Sequence, residues 1–247
     1  MEIFSNISKI IPKKHNTWKE KIFLTFDMDW AHDEIILDTL KILNSYLVKS
    51  TWFVTHNSSV IDILRENKYI ELGIHPNFNP LLENKDKHQD FNDIITNLLK
   101  IIPEAKSIRS HSMTQNSRIL DAFFSNGITH DVNHFIPNFN NHNLKPWIHW
   151  NGLIKVPYLW EDDVHILYEN LNILESEPYK IVYNKKNIGL KVFDFHPIHI
   201  FLNSESIERY EKTRKFHQNP NELIKYRFNG YGTRNRFIDL LKIKPLL

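Results

Sequence analysis

The residues with chemistry to offer gather in a few short runs. Asp27-Met28-Asp29 sets two carboxylates two positions apart. On an extended backbone both would point to one side, so one can hold a cation while the other takes a proton. The same pair would also serve as a solvated acidic loop or as caps for a following helix. Glu71-Leu72-Gly73-Ile74-His75-Pro76 ends an apolar run with a histidine. Pro76 fixes the backbone there, and the imidazole is a metal ligand, a proton carrier or a hydrogen-bonded core histidine. Phe193-Asp194-Phe195-His196-Pro197-Ile198-His199 repeats the histidine-proline device. Ile108-Arg109-Ser110-His111 carries a guanidinium on a short apolar run, where it needs a carboxylate partner; Asp27 is the natural one. Asp131 and the trio Glu161, Asp162 and Asp163 complete the acids of interest.

These residues need elements to bring them together. Lys21 to Phe26, Thr51 to Thr55, Tyr69 to Ile74, Ser107 to Arg109, Ile128 to Asp131, Leu153 to Val156 and Lys191 to Phe195 have the short apolar pattern of buried strands. Between them, Ile36, Leu40, Leu43 and Leu47 recur at helical spacing over Asp33 to Leu47. Ser59 and Asp62 have capping-box spacing for a short helix to Asn67. A helix through Phe91, Ile95 and Leu98 stops at Pro103, and another runs from Ser117 to Ser125, ended by Gly127. Asn219, Pro220 and Glu222 fit the N-cap, N1 and N3 positions of a last helix. Phe135 to Trp150, rich in Asn, His and Trp, predicts a long ordered loop.

Alternating strands and helices imply parallel strands with crossover helices. About seven such strands close most economically into an α/β barrel, with an open doubly wound sheet as the alternative. The acids, histidines and Arg109 then follow the C-terminal ends of strands, where parallel α/β folds build their sites.

The bulk composition agrees with one domain spanning residues 1–247, a core over about 21–203 and a C-terminal helical extension over 204–247. There is no cysteine, so a metal site must use His, Asp, Glu or Asn. A net charge of +2 demands neither nucleic acid nor an acidic membrane as partner. No run approaches the roughly 18 apolar residues of a membrane span, and the N-terminus lacks a secretory apolar core, which points to the cytoplasm.

Thr25-Phe26-Asp27-Met28-Asp29, Glu71-Leu72-Gly73-Ile74-His75, Ile108-Arg109-Ser110-His111 and Phe195-His196-Pro197 follow one another in the order of the NodB-type polysaccharide deacetylases, carbohydrate esterase family four. The wording resembles the WbmS-like branch, associated with bacterial surface-polysaccharide synthesis. The resemblance spans about Lys21 to Asn203. It implies a distorted (β/α) barrel of about seven parallel strands and one divalent metal, zinc by preference, with cobalt or nickel as substitutes. By motif position, Asp27 matches the catalytic base, Arg109 the arginine that holds it and His196 the general acid.

Two positions depart from the family pattern. The usual metal aspartate directly follows the base; here that position is Met28, and Asp29 takes the role. The second metal histidine falls four residues after His75, where this chain has Asn79. Asn79, a water or His111 then completes a set begun by Asp29 and His75. A backbone N–H near Ser110 or His111 would help the metal hold the oxyanion. Asp194, Asp131 or one of Glu161, Asp162 and Asp163 would keep His196 protonated. The implied substrate is an acetylated amino sugar, nucleotide- or lipid-linked. Trp150, Tyr158 and Trp160 are candidates to stack on a sugar ring, and the basic stretch Arg227 to Arg236 to contact a diphosphate. A degenerate, sugar-binding homologue and another mononuclear metal amidohydrolase are the alternatives.

Overall fold

The computed structural model describes residues 3–83, 89–137, 143–168, 177–184 and 186–243. Among the described residues, nine strands form one sheet: β1 (Ile22–Asp27), β2 (Ser50–Val54), β3 (Ile70–Ile74), β4 (Ser107–Ile108), β5 (His130–Asp131), β6 (Trp147–Ile148), β7 (Ile154–Lys155), β8 (Trp160–Glu161) and β9 (Lys191–Phe195). Their order is β6-β7-β5-β4-β3-β2-β1-β9-β8. Every pairing is parallel except β6 with β7. The sheet curls into a half-barrel, the distorted barrel expected of this α/β chain. A lone bridge between Phe135 and Tyr158 links the chain beyond β5 to the approach to β8.

Period-two alternation sorts the side chains into two cores. Ile22, Leu24 and Phe26 of β1, Trp52 and Val54 of β2, and Phe193 and Phe195 of β9 pack outward under the helices. Phe23, Phe53 and Val192 point inward, where Ile7, Ile10 and Trp18 of the N-terminal segment fill the barrel floor. By the same alternation Thr25, Asp27 and Asp194 share the inner face, near its upper end. The floor is tied down by Glu71, which accepts hydrogen bonds from the Ser8 backbone and hydroxyl and from Thr51 and Ser107.

Several expected elements shift. The helix Asp33–Tyr46 ends at Leu47 in the left-handed conformation. The helix after β2 covers Val60–Glu66, but Ser59 makes no capping bond; both Ser58 and Ser59 hydroxyls donate to Asp33 instead. Pro220–Leu223 is a single turn, and a further helix, Thr233–Leu241, begins within the basic stretch Arg227 to Arg236 and runs beyond it. Its Phe237, Leu240 and Leu241 join the outer core. Part of the expected long loop is strand β6; residues 138–142 of it lie outside the described residues. Among the described residues no helix is long and apolar enough to cross a membrane.

Candidate active site

β1 delivers Asp27 at its last position, and the chain then turns sharply. Asp29 and Trp30 both take positive φ, 41° and 55°. The two carboxylates therefore share a neighbour through a left-handed turn rather than along an extended strand. That neighbour is His75, just past β3. Its Nδ1 lies 3.6 Å from Asp27 Oδ2 and its Nε2 3.2 Å from Asp29 Oδ1. His111, just past β4, sets Nδ1 3.1 Å from the same Asp29 oxygen and 3.3 Å from His75 Nε2.

Three ligand atoms from three strand ends thus form a triangle with sides of 3.1, 3.2 and 3.3 Å. A tetrahedral ion with bonds of about 2.0–2.1 Å needs ligand separations of about 3.3 Å, so this donor set fits one divalent ion such as zinc. Burial alone would raise the Asp29 carboxyl. Hydrogen bonds from His111 and His75, and the charge of His75 and His196, overcome that and hold it well below the usual carboxylate range. Asn79 stands apart from this group: its Nδ2 donates to Ser112 Oγ at 3.2 Å.

Arg109 organises the opposite wall. Its Nη1 donates to Asp27 Oδ1 at 3.0 Å and to Asp194 Oδ1, and its Nη2 to Thr25 Oγ1 at 3.0 Å. The guanidinium is wedged between the rings of Tyr158 and Phe53, 4.3 and 4.8 Å from their centroids. Asp194 is fully buried; burial, against the pull of Arg109 and reinforced by Asp27, pushes its carboxyl up to about 7.

His196 follows β9. Its Nδ1 donates to Asp162 Oδ1 at 2.7 Å and its backbone N–H to Asp162 Oδ2 at 2.9 Å. Its Nε2 faces Asp29 Oδ2 at 3.6 Å. Burial would lower the imidazole, but the Asp162 carboxylate holds it well above its ordinary value.

The matching family model, WbmS-like polysaccharide deacetylase, aligns with residues 24–214. A crystal structure of WbmS from Bordetella bronchiseptica, assigned as a polysaccharide deacetylase involved in O-antigen biosynthesis, shares 38% identity. The match covers 97% of each chain with a TM-score of 0.87. This chain belongs to the WbmS-like polysaccharide deacetylase family. More distant matches include a polysaccharide deacetylase structure from Mycobacterium smegmatis, at 16% identity over 71% of this chain and 77% of that one, TM-score 0.49. A family 4 carbohydrate esterase from Streptomyces lividans in complex with acetate matches at 13% identity over 89% and 86%, TM-score 0.46. No curated protein matches the sequence.

In this WbmS-like chain the structure brings Asp27, Asp29, His75, Arg109, His111 and His196 together, and it corrects several other expectations. Asp131 does not approach His196. Its neighbour Val132 packs into the inner core, so alternation turns Asp131 outward, where it pairs with buried Lys155. Glu161 is the last residue of β8 and Asp162 follows it; β8 is a strand of its own after the Leu153 strand, because Trp160 and Glu161 pair with β9. Neither expected oxyanion donor is available: Ser110 N–H donates to Asn133 Oδ1 and His111 N–H to Pro76 O. Tyr158 and Trp160 are core residues, 0% and 1% exposed, and cannot stack on a ligand. Trp150, 69% exposed, is not among the residues lining the cleft. Arg227 and Arg234 both pair with Asp38 on the first long helix, so they fasten the C-terminal segment to it.

A cleft of about 180 Å³ opens beside Asp29 and His196. Trp30, Asp163, Ile198, His199, Tyr210 and His217 contribute to its walls. The last four come from the segment after β9. Ile198 and His199 belong to the run already singled out after the Lys191 strand, but periodicity missed Tyr210, in a short helix, and His217, just past a helical turn, because no strand end flags them.

Proposed function

We propose that this chain is a metal-dependent carbohydrate N-deacetylase that removes an acetyl group from an amino sugar in surface-polysaccharide synthesis. The observation that carries this is the set of three ligand atoms, each within 3.3 Å of the others, flanked by Asp27 on one side and His196 on the other. Asp29, His75 and His111 would hold the ion, which supplies Lewis acidity toward the acyl oxygen and acidifies a bound water.

The remaining steps belong to the chain. Asp27, fixed by Arg109 through Oδ1, takes a proton at Oδ2 as water attacks the acyl carbon. His196, with Nδ1 committed to Asp162, presents a protonated Nε2 to the cleft and delivers that proton to the departing nitrogen. The C–N bond breaks, leaving acetate and a free amine. The Ser110 and His111 N–H groups donate to Asn133 Oδ1 and Pro76 O, so neither is offered to a developing oxyanion. Among the described residues the cleft is lined by no Lys or Arg, which suits a neutral sugar.

The test is acetate release from free, nucleotide-linked and lipid-linked acetylated amino sugars with zinc, cobalt or nickel supplied. Asp27→Asn should lower turnover by about 10²–10⁴-fold while metal content and fold stay intact. The alternative, a sugar-binding homologue without turnover, draws on Asn79 replacing a family ligand. It predicts sugar binding with no acetate from any of these substrates.

A further inference from the structure

Two asparagines approach the chain around His111 from opposite neighbours, and neither touches the ligand atoms. Asn133, just past β5, donates from its backbone N–H and its Nδ2 to Asp131 Oδ1, at 2.9 and 2.8 Å. Asp131 in turn is held by Lys155 Nζ, which also donates to Gln115 Oε1 at 2.9 Å. Gln115 Nε2 closes the ring by donating to Asn133 O at 3.0 Å. Because Nδ2 is committed to Asp131, Asn133 Oδ1 must be the atom that faces Ser110 N–H, at 2.8 Å. Asp131, Asn133, Lys155 and Ser110 are all at most 2% exposed.

Asn79 reaches the same loop from the β3 side. Its Nδ2 donates to Ser112 Oγ at 3.2 Å, and its Oδ1 accepts from Thr114 Oγ1 at 3.5 Å. Between these anchors Ser112 and Met113 hold consecutive positive φ angles, 56° and 53°. Non-glycine residues keep such a pair only where surrounding contacts determine it. His111 is also only partly buried, so packing alone does not fix its ring.

We infer that Asn133 and Asn79 are positioning residues that hold the His111 loop so that Nδ1 meets Asp29 and His75, with the buried Lys155–Asp131 pair orienting Asn133. This rests on the ligand set proposed above. It also gives Asn79 a role: the position that lacks an imidazole braces the loop that supplies one. A buried ion pair adds little net stability, and here its geometry is spent on orienting a neighbour.

Cobalt(II) titration of the purified full chain tests this, read by visible absorption, which reports ligand number and geometry. Asn79→Ala and Asn133→Ala should each weaken cobalt binding about tenfold or more and alter the absorption bands. In a His111→Ala background, the same substitutions should add no further loss. Wild-type affinity and spectrum in both asparagine variants, with His111→Ala impaired, would overturn the positioning role alone. Unchanged binding in His111→Ala would overturn the ligand set itself, and this inference with it. If Asn133→Ala fails to fold, the partly exposed Asn79→Ala carries the test.

Discussion

His196 and Asp162 are bound twice, once through the ring and once through the histidine backbone, so the carboxylate fixes both the tautomer and the charge of the imidazole. A general acid must stay protonated until its proton is delivered. Asp162 raises the His196 pKa, so removing its charge lowers that pKa. In Asp162→Asn the alkaline limb of the kcat/KM profile should move to lower pH, with metal affinity little changed. A limb in its original place would show that another group sets it. At this scale the sequence exposed Asp27, Asp29, His75, Arg109, His111 and His196, because each sits at the end of an apolar run. It could not choose among five acids for the partner of His196. That choice depends on which strand pairs with β9, a long-range fact.

The elements explain why some residues were legible and others hidden. Lys191 to Phe195 and Ser117 to Ser125 form the strand and helix that their patterns predict. β8 is two residues long and begins on the Trp of a Pro-Tyr-Leu-Trp run, so no local periodicity marks it. The helix Thr233–Leu241 begins with Thr, Arg, Asn and Arg, and its apolar face becomes clear only from Phe237 onward. β3 carries a different constraint. A Cβ on Gly73 would meet Ser107 O and Oγ at 2.7 Å and the Phe53 ring at 2.8 Å. The clash with Ser107 O involves β4 backbone, which cannot simply rotate away. Gly73→Ala should therefore destabilise the fold by about 1–3 kcal/mol in urea unfolding. It should also weaken metal binding, because β3 and β4 lead directly into His75 and His111.

Across the whole molecule, burial keeps several histidines neutral. His165 falls to about 4, with Trp160 beside it and the Arg236 charge adding to the burial effect. His199 and His130 are also depressed, chiefly by burial. An unfolded chain protonates these rings below about 6.5, while the folded chain resists. Unfolded molecules then bind more protons, so stability should fall as pH drops from about 6.5 toward 4. Asp194 acts with the opposite sign: its raised pKa favours the folded state at low pH, a contribution lost as pH rises toward about 7. Denaturant titrations across this window should show the histidine slope, and His165→Phe should reduce it by up to one proton, ~1.4 kcal/mol per pH unit.

The turn after β1 has a consequence for how this molecule tolerates change. Asp29 and Trp30 occupy backbone angles that glycine adopts freely and other residues adopt at about 1–2 kcal/mol each. Glycine at either place would relax the main chain, yet it would delete a carboxylate facing three imidazoles or an indole at the rim of the cleft. Thermal endurance and chemical competence pull in opposite directions at these two codons. A laboratory lineage selected for heat resistance alone has an incentive to dismantle its own reaction centre there.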